Sequence, residues 1–253
     1  MHRFRRRTLR RLAAAVLLAG CLFSPGVVQA LELRELIRHV EQQYHGTSSH
    51  ARTAMQVRTE HWQRSLEMET WSLERDRFLV RILAPAKERG VATLKVDREV
   101  WNFLPRVDRV IKVPPSMMGG AWMGSHITND DLVKASHVDE DYTFTLLEES
   151  PEHYLIECLP KVNAAVVWGK IVYEILKPQL VPGTVTYYDE GMIAVREISF
   201  ADVRTTGGRT LPMRMTVRPL DKPGEETVLQ YQEITFDVPL TAAFFSLRTL
   251  KER

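Results

Sequence analysis

Cysteine is scarce in this chain: among 253 residues there are two, Cys21 and Cys158. That excludes a disulfide framework as the source of stability, and it leaves no residues for a CxxC redox pair or a thiolate zinc site. Other short motifs that announce chemistry are missing as well. No Gly-rich phosphate loop, HExxH or GxSxG occurs, so the nucleotide-binding, zincin and nucleophile-elbow signatures are absent. Long apolar runs are equally rare. The longest, Leu12 to Phe23, falls short of the roughly 20 residues that a permanent membrane-spanning helix needs. No acidic residue precedes Glu32.

The charge that is present is unevenly placed. The chain has 34 Lys plus Arg against 32 Asp plus Glu, a formal balance of +2, but Arg3, Arg5, Arg6, Arg7, Arg10 and Arg11 supply six of the positives. Residues 31–253 keep the other 28 basic groups against all 32 acids, a balance of −4. Phosphate-backbone binding requires a basic excess, so nucleic acid is not an expected partner. A hydrophobic content of 44% with 26% charged residues is that of an ordinary globular protein able to bury one substantial core.

The Arg-rich start, the short apolar run, a break at Pro25-Gly26 and the small residues in Val28-Gln29-Ala30 together form an export signal. Cleavage is expected after Ala30, leaving residues 31–253 as a single domain in the periplasm. An alternative lies in the same segment, because Leu18-Ala19-Gly20-Cys21 resembles a lipobox and would anchor the protein through a lipidated Cys21. Leu22 and Phe23 continue the apolar run where a polar tether usually follows, which favours soluble export. Cys158 is then alone, and its neighbours Ile156 and Leu159 mark it as a small buried hydrophobe.

One helix opens the exported body. Leu33, Leu36, Ile37, Val40 and Tyr44 follow helical spacing, and Gly46 is placed to end it. Afterwards the period changes to two. Ala51, Thr53, Met55 and Val57 alternate with Arg52, Gln56, Arg58 and neighbouring polar groups, as in a strand with one wet face. Similar runs predict strands near 51–61, 64–73, 77–84, 90–96, 99–104, 108–112, 142–149, 153–159, 169–176, 183–189, 193–204, 210–218 and 226–236. Short turns such as Asp189-Glu190-Gly191 and Thr206-Gly207-Gly208 argue for hairpins rather than crossovers. So many consecutive antiparallel strands curl into a barrel or half-barrel, a container shape whose mouth or concave face the opening helix can cover.

Val113 to Ser136 interrupts the strands with Gly, Pro and an apolar cluster of Met117, Met118, Trp122 and Met123. Such a loop is expected either to form a gate or membrane-docking lip or to fold over the core. Thr128 is placed to cap a short helix through Asp130, Asp131 and Leu132. Elsewhere, Trp101 and Phe103 share one strand parity and serve either as concave-face lining or as core, while Met213 and Met215 form a similar stripe that favours core. Arg109 reads as a solvated rim residue. The acidic runs Asp130-Asp131, Asp139-Glu140-Asp141 and Glu148-Glu149, and Ser125 beside Gly124, lack the partners of a catalytic site. Seven histidines outside the export signal have no ligand spacing. No enzyme activity, metal or cofactor is expected.

Phe78-Leu79-Val80-Arg81-Ile82-Leu83-Ala84-Pro85-Ala86, Gly90-Val91-Ala92-Thr93-Leu94, Trp101-Asn102-Phe103-Leu104-Pro105 and Arg109-Val110-Ile111-Lys112 come in an order that resembles the outer-membrane lipoprotein-sorting proteins of the LolA-like superfamily. Ala121-Trp122-Met123-Gly124-Ser125, followed by Asn129-Asp130-Asp131-Leu132, extends the resemblance. His126-Ile127 departs from it, since an acid and an aromatic are expected there. The resemblance implies an unclosed antiparallel β-barrel with an N-terminal helix, a helical or loop lid and an apolar cavity for acyl chains of lipoproteins or lipids. It also implies a monomeric carrier working beside an inner-membrane permease of the ABC or RND type. The alternative is a lipid-sensing accessory subunit of an inner-membrane transporter or signalling complex. Trp101, Phe103, Met117, Met118, Trp122, Met123, Met213 and Met215 are the candidates for its cavity or gate.

Overall fold

The computed structural model describes residues 25–134 and 137–252, with only the backbone course given for 25–31. The export segment up to residue 24, including Cys21, lies outside the described residues. Helix α1 spans Pro25–Gln42, with Pro25 in its first turn. This corrects the expected start near Leu33. Proline lacks an N–H and fixes φ near the helical value, both harmless in a first turn. The bond after Ala30 thus falls within α1. Gly46 closes the segment at φ +57°, and a Cβ there would meet the guanidinium of Arg209 at 3.1 Å.

Thirteen strands follow among the described residues. They are β1 (Ser48–Arg58), β2 (Gln63–Leu73), β3 (Arg77–Ala84), β4 (Ala92–Val96), β5 (Glu99–Leu104) and β6 (Arg109–Lys112), then β7 (Tyr142–Glu149), β8 (His153–Pro160), β9 (Lys170–Leu176), β10 (Val181–Tyr188), β11 (Ala194–Thr206), β12 (Arg209–Pro219) and β13 (Glu226–Phe236). They form one sheet in the order β6-β5-β4-β3-β2-β1-β13-β12-β11-β10-β9-β8-β7, and the pairings are antiparallel. Period-two alternation places every element close to its expected position; β1 begins three residues earlier than expected, at Ser48. The sheet does not close, because β6 and β7 each keep one unpaired edge.

Each face is covered by a different part of the chain. On the concave side, Leu33, Ile37 and Val40 of α1 are buried against Ile156, Ile171, Tyr173 and Val185 of β8 to β10. Burying aliphatic side chains of this size contributes roughly 1.5–3 kcal/mol each. The segment between β6 and β7 covers the other half of the concavity, where Trp122 and Ile127 join Met55, Met68, Val80 and Ile82. This segment contains 3-10 turns at Pro115–Met117 and Trp122–Gly124, helix α2 (Asn129–Lys134) and helix α3 (Val138–Asp141). On the convex side, Phe245 and Leu250, the latter in helix α4 (Leu247–Lys251), pack on Leu79, Ala92, Leu94 and Phe103.

Candidate functional site

Between the sheet and its two concave covers lies a cavity of two adjoining lobes, each of about 230 Å³. Together they reach the range of ordinary small-molecule pockets, ~300–1,000 Å³. The first lobe sits beneath the β6–β7 lid, between Met68, Phe78, Val217 and Leu229 of the sheet and Trp122, Ile127 and Leu132 of the lid. The second lies against α1 and is walled by Val40, Tyr44, Tyr173, Val185 and Phe200. His45, Tyr187, Ile198, Met215 and Tyr231 border both. Most of this wall is apolar, and the alternate positions of each strand supply it.

Besides this apolar packing, the lid is fixed by polar contacts. Thr128 Oγ1 accepts from the N–H of Asp131, while Asp131 Oδ2 accepts from the N–H and hydroxyl of Thr128 at 2.8 Å. This reciprocal cap is the one expected for α2. Asp131 also receives both terminal nitrogens of Arg196 on β11, at 2.6 and 2.9 Å. That guanidinium is held between the rings of Trp168 and Tyr187, 4.5 and 4.1 Å from their centroids. Trp122 Nε1 donates to Thr93 Oγ1 at 3.1 Å, and Arg64 donates to the Met123 carbonyl at 2.7 Å. His126 is hydrogen-bonded to Thr227 through Nδ1 and to Glu225 through Nε2, each at 2.9 Å.

At the adjoining end of the cavity, buried Asp139 of α3 receives Arg75 from the β2–β3 turn and Arg38 from α1. Burial alone would raise its pKa, but the hydrogen bonds from Arg75 and Arg38 prevail and hold it below the usual carboxylate range. Burial pushes the His45 imidazole down to about 4, with the charges of Lys95 and Arg75 adding to the effect. Lys95, only 2% exposed, donates to the Arg75 carbonyl at 2.7 Å, and burial lowers its pKa to about 8. In the second lobe, burial raises Glu41 well above its usual range against the hydrogen bond from Tyr173.

A family model described as an "Uncharacterized protein"-like family matches residues 74–252. In three dimensions the chain is similar to a DUF1329 family protein from Desulfovibrio piger, 21% identical, with 87% of this chain and 98% of that one covered at a TM-score of 0.79. A domain assigned to outer membrane lipoprotein sorting from Vibrio parahaemolyticus is likewise 21% identical, with coverage of 87% and 98% and a TM-score of 0.75. A LolA superfamily protein from Nitrosomonas europaea is 20% identical over the same shares, with a TM-score of 0.70. The chain belongs to the matched family, and its fold is LolA-like. No curated protein matches the sequence.

Within this LolA-like fold the residues singled out by sequence are dispersed. Trp122 is buried under the lid, lines the first lobe and packs in one cluster with Met123. Met215 borders both lobes, whereas Met213 is buried between Ala51, Leu211, Ile234 and Phe236. Met117 is 62% exposed on the outer side of the lid, and Met118 is half-buried. Trp101 and Phe103 pack on the convex face with Phe245 and Leu250, away from the cavity. Their partners across β4 are Leu94 and Ala92, which face the same C-terminal cover.

The acidic runs are bound to cations. Asp130 pairs with Lys134, Glu140 with Arg75 and Glu149 with Lys177. Ser125 Oγ donates to the Trp122 carbonyl and accepts from the N–H of Ile127, closing a turn. Burial pushes the Cys158 thiol well above its ordinary pKa, and it packs in the core beneath α1. No group of three or more metal-ligating side chains stands together among the described residues. Sequence reading passed over Lys95 and Arg196, and weighed His45 only among the seven histidines without ligand spacing. The signal for Lys95 is its parity, opposite to Ala92 and Leu94 and shared with Thr93.

Proposed function

We propose that this chain is a non-enzymatic carrier that shields acyl chains of lipids or lipoproteins in the cavity and delivers them across the periplasm toward the outer membrane. One observation carries the reading: an apolar two-lobed cavity lies between an open sheet, a packed helix and a lid held by polar contacts. An acyl chain gains roughly 0.8 kcal/mol for each methylene removed from water, so the wall and the cargo match. The relatives described as lipoprotein-sorting and LolA superfamily proteins support the same reading. Export through residues 1–30, and loading by an inner-membrane permease of the ABC or RND type, complete the proposed route.

The test is uptake of a fluorescent acyl probe by purified protein. Met215→Glu, at the border of both lobes, is expected to weaken uptake at least tenfold with the circular dichroism spectrum unchanged. Val162→Glu, at a position 91% exposed, should bind as the parent does. No uptake by folded parent protein would overturn the carrier reading.

A further inference from the structure

The first lobe contains a buried ammonium that no carboxylate of the described residues contacts. Lys95 extends from the concave face of β4, is 2% exposed and lines this lobe. Its ammonium gives one hydrogen bond, to the Arg75 carbonyl, and no carboxylate of the described residues lies within ion-pair distance. Its neighbours are already engaged. Arg75 is paired with Asp139 and Glu140, and Arg196 with Asp131, the acid that lines the lobe. Arg77 adds a further cation to the wall, while Asp76 and Asp97 act on Lys95 only from longer range. His45, also in the wall, is held neutral at physiological pH. The hydroxyl of Thr53, 3% exposed, opens onto the same lobe with no hydrogen-bond partner.

A buried ammonium without a counterion is costly, and so is a buried hydroxyl without a partner. The first cost is relieved by a ligand that brings an anion. We infer that the cavity is built for an amphiphile with an anionic head, its carboxylate or phosphate seated at Lys95 and its acyl chain on the apolar wall. The inference rests on the acyl-carrier reading and narrows its cargo. A neutral ester or an uncharged lipid would fill the apolar wall but leave Lys95 uncompensated. Burial already loosens the Lys95 proton, and an arriving anion would tighten it again.

The experiment compares a polyene fatty acid with its methyl ester, which has the same chain and no charge, on the full exported protein. The parent is expected to bind the acid at least tenfold more tightly than the ester. Lys95→Met should abolish that preference by weakening the acid at least tenfold, and Lys95→Arg should retain it. Competition by palmitate, lysophosphatidic acid and lysophosphatidylcholine then identifies the source of the anion. Displacement by either of the first two supports the inference, whereas equal displacement by the zwitterion overturns it. Equal parental affinity for acid and ester, or a preference that survives Lys95→Met, also overturns it and leaves the carrier reading standing. Binding of neither probe by folded parent protein removes both.

Discussion

The concavity of the sheet has two covers, α1 over β8 to β10 and the β6–β7 segment over β1 to β3, and different forces hold them. Leu33, Ile37 and Val40 of α1 are buried in a cluster with eight strand residues, from Tyr142 to Tyr187, so that cover behaves as core. The lid inserts Trp122 and Ile127 but depends on Asp131–Arg196, His126–Glu225 and Arg64 on the Met123 carbonyl for its position. Apolar burial is non-directional and additive, whereas a polar clasp is made or lost as a unit. One cover is thereby part of the fold, and the other is a closure laid upon it.

Substitutions should separate the two. The largest effect is expected at Ile37, fully buried in the α1 cluster. Ile37→Ala should cost about 3 kcal/mol of global stability, within the range for large-to-small core changes, seen as a lower urea midpoint at unchanged slope. A loss below about 1 kcal/mol would show that α1 is no more integral than the lid. Asp131→Asn comes next, at about 2 kcal/mol, because it leaves a largely buried guanidinium without its anion. Here the loss should be local: hydrogen exchange should quicken over residues 113–134 and acyl-probe release should accelerate, while β9 and β10 keep their protection. Uniform loss of protection would erase the distinction between the covers.

The effect that is smallest at neutral pH concerns His45, which stands after α1 and borders both lobes. Its folded pKa of about 4 lies below the ordinary histidine value. The unfolded chain therefore takes up a proton before the folded one, so this contribution is complete above about pH 6.5 and declines as pH falls toward 4. His45→Gln should flatten that part of a stability-against-pH profile. An unchanged slope would assign the acid sensitivity to other groups, Asp139 foremost.

How far the sequence reveals this architecture depends on whether the deciding interaction is periodic. Alternation in Ala51–Val57 and its counterparts marks all thirteen strands, since each strand records its own two faces. The Gly/Pro-rich stretch from Val113 stands out because it breaks that rhythm. Parity shows that Trp101 and Phe103 point the same way, but not toward which face, because their cover is formed by Phe245 and Leu250 from the far end of the chain. The helix start at Pro25 was obscured for a related reason: proline breaks a helix or begins one according to which residues follow it. Lys95 and His45 each resemble a solitary surface charge until the fold encloses them.

The pairing of β1 with β13 has a consequence for how such a sheet is assembled. Every other ladder joins strands adjacent in sequence, apart from the open β6–β7 boundary, so most hairpins close short loops at little entropic cost. Ser49 opposite Phe236 through Arg58 opposite Glu226 is the exception, and it lies in the interior of the sheet, not at an edge. Two meanders can therefore form locally, one on each side, but they become a single concave wall only when the first strand meets the last. That long-range seam sets the contact order of the chain and is the step at which folding should be slowest. Until it forms there is no interior to occupy, so the container exists only after nearly the whole strand sequence is available.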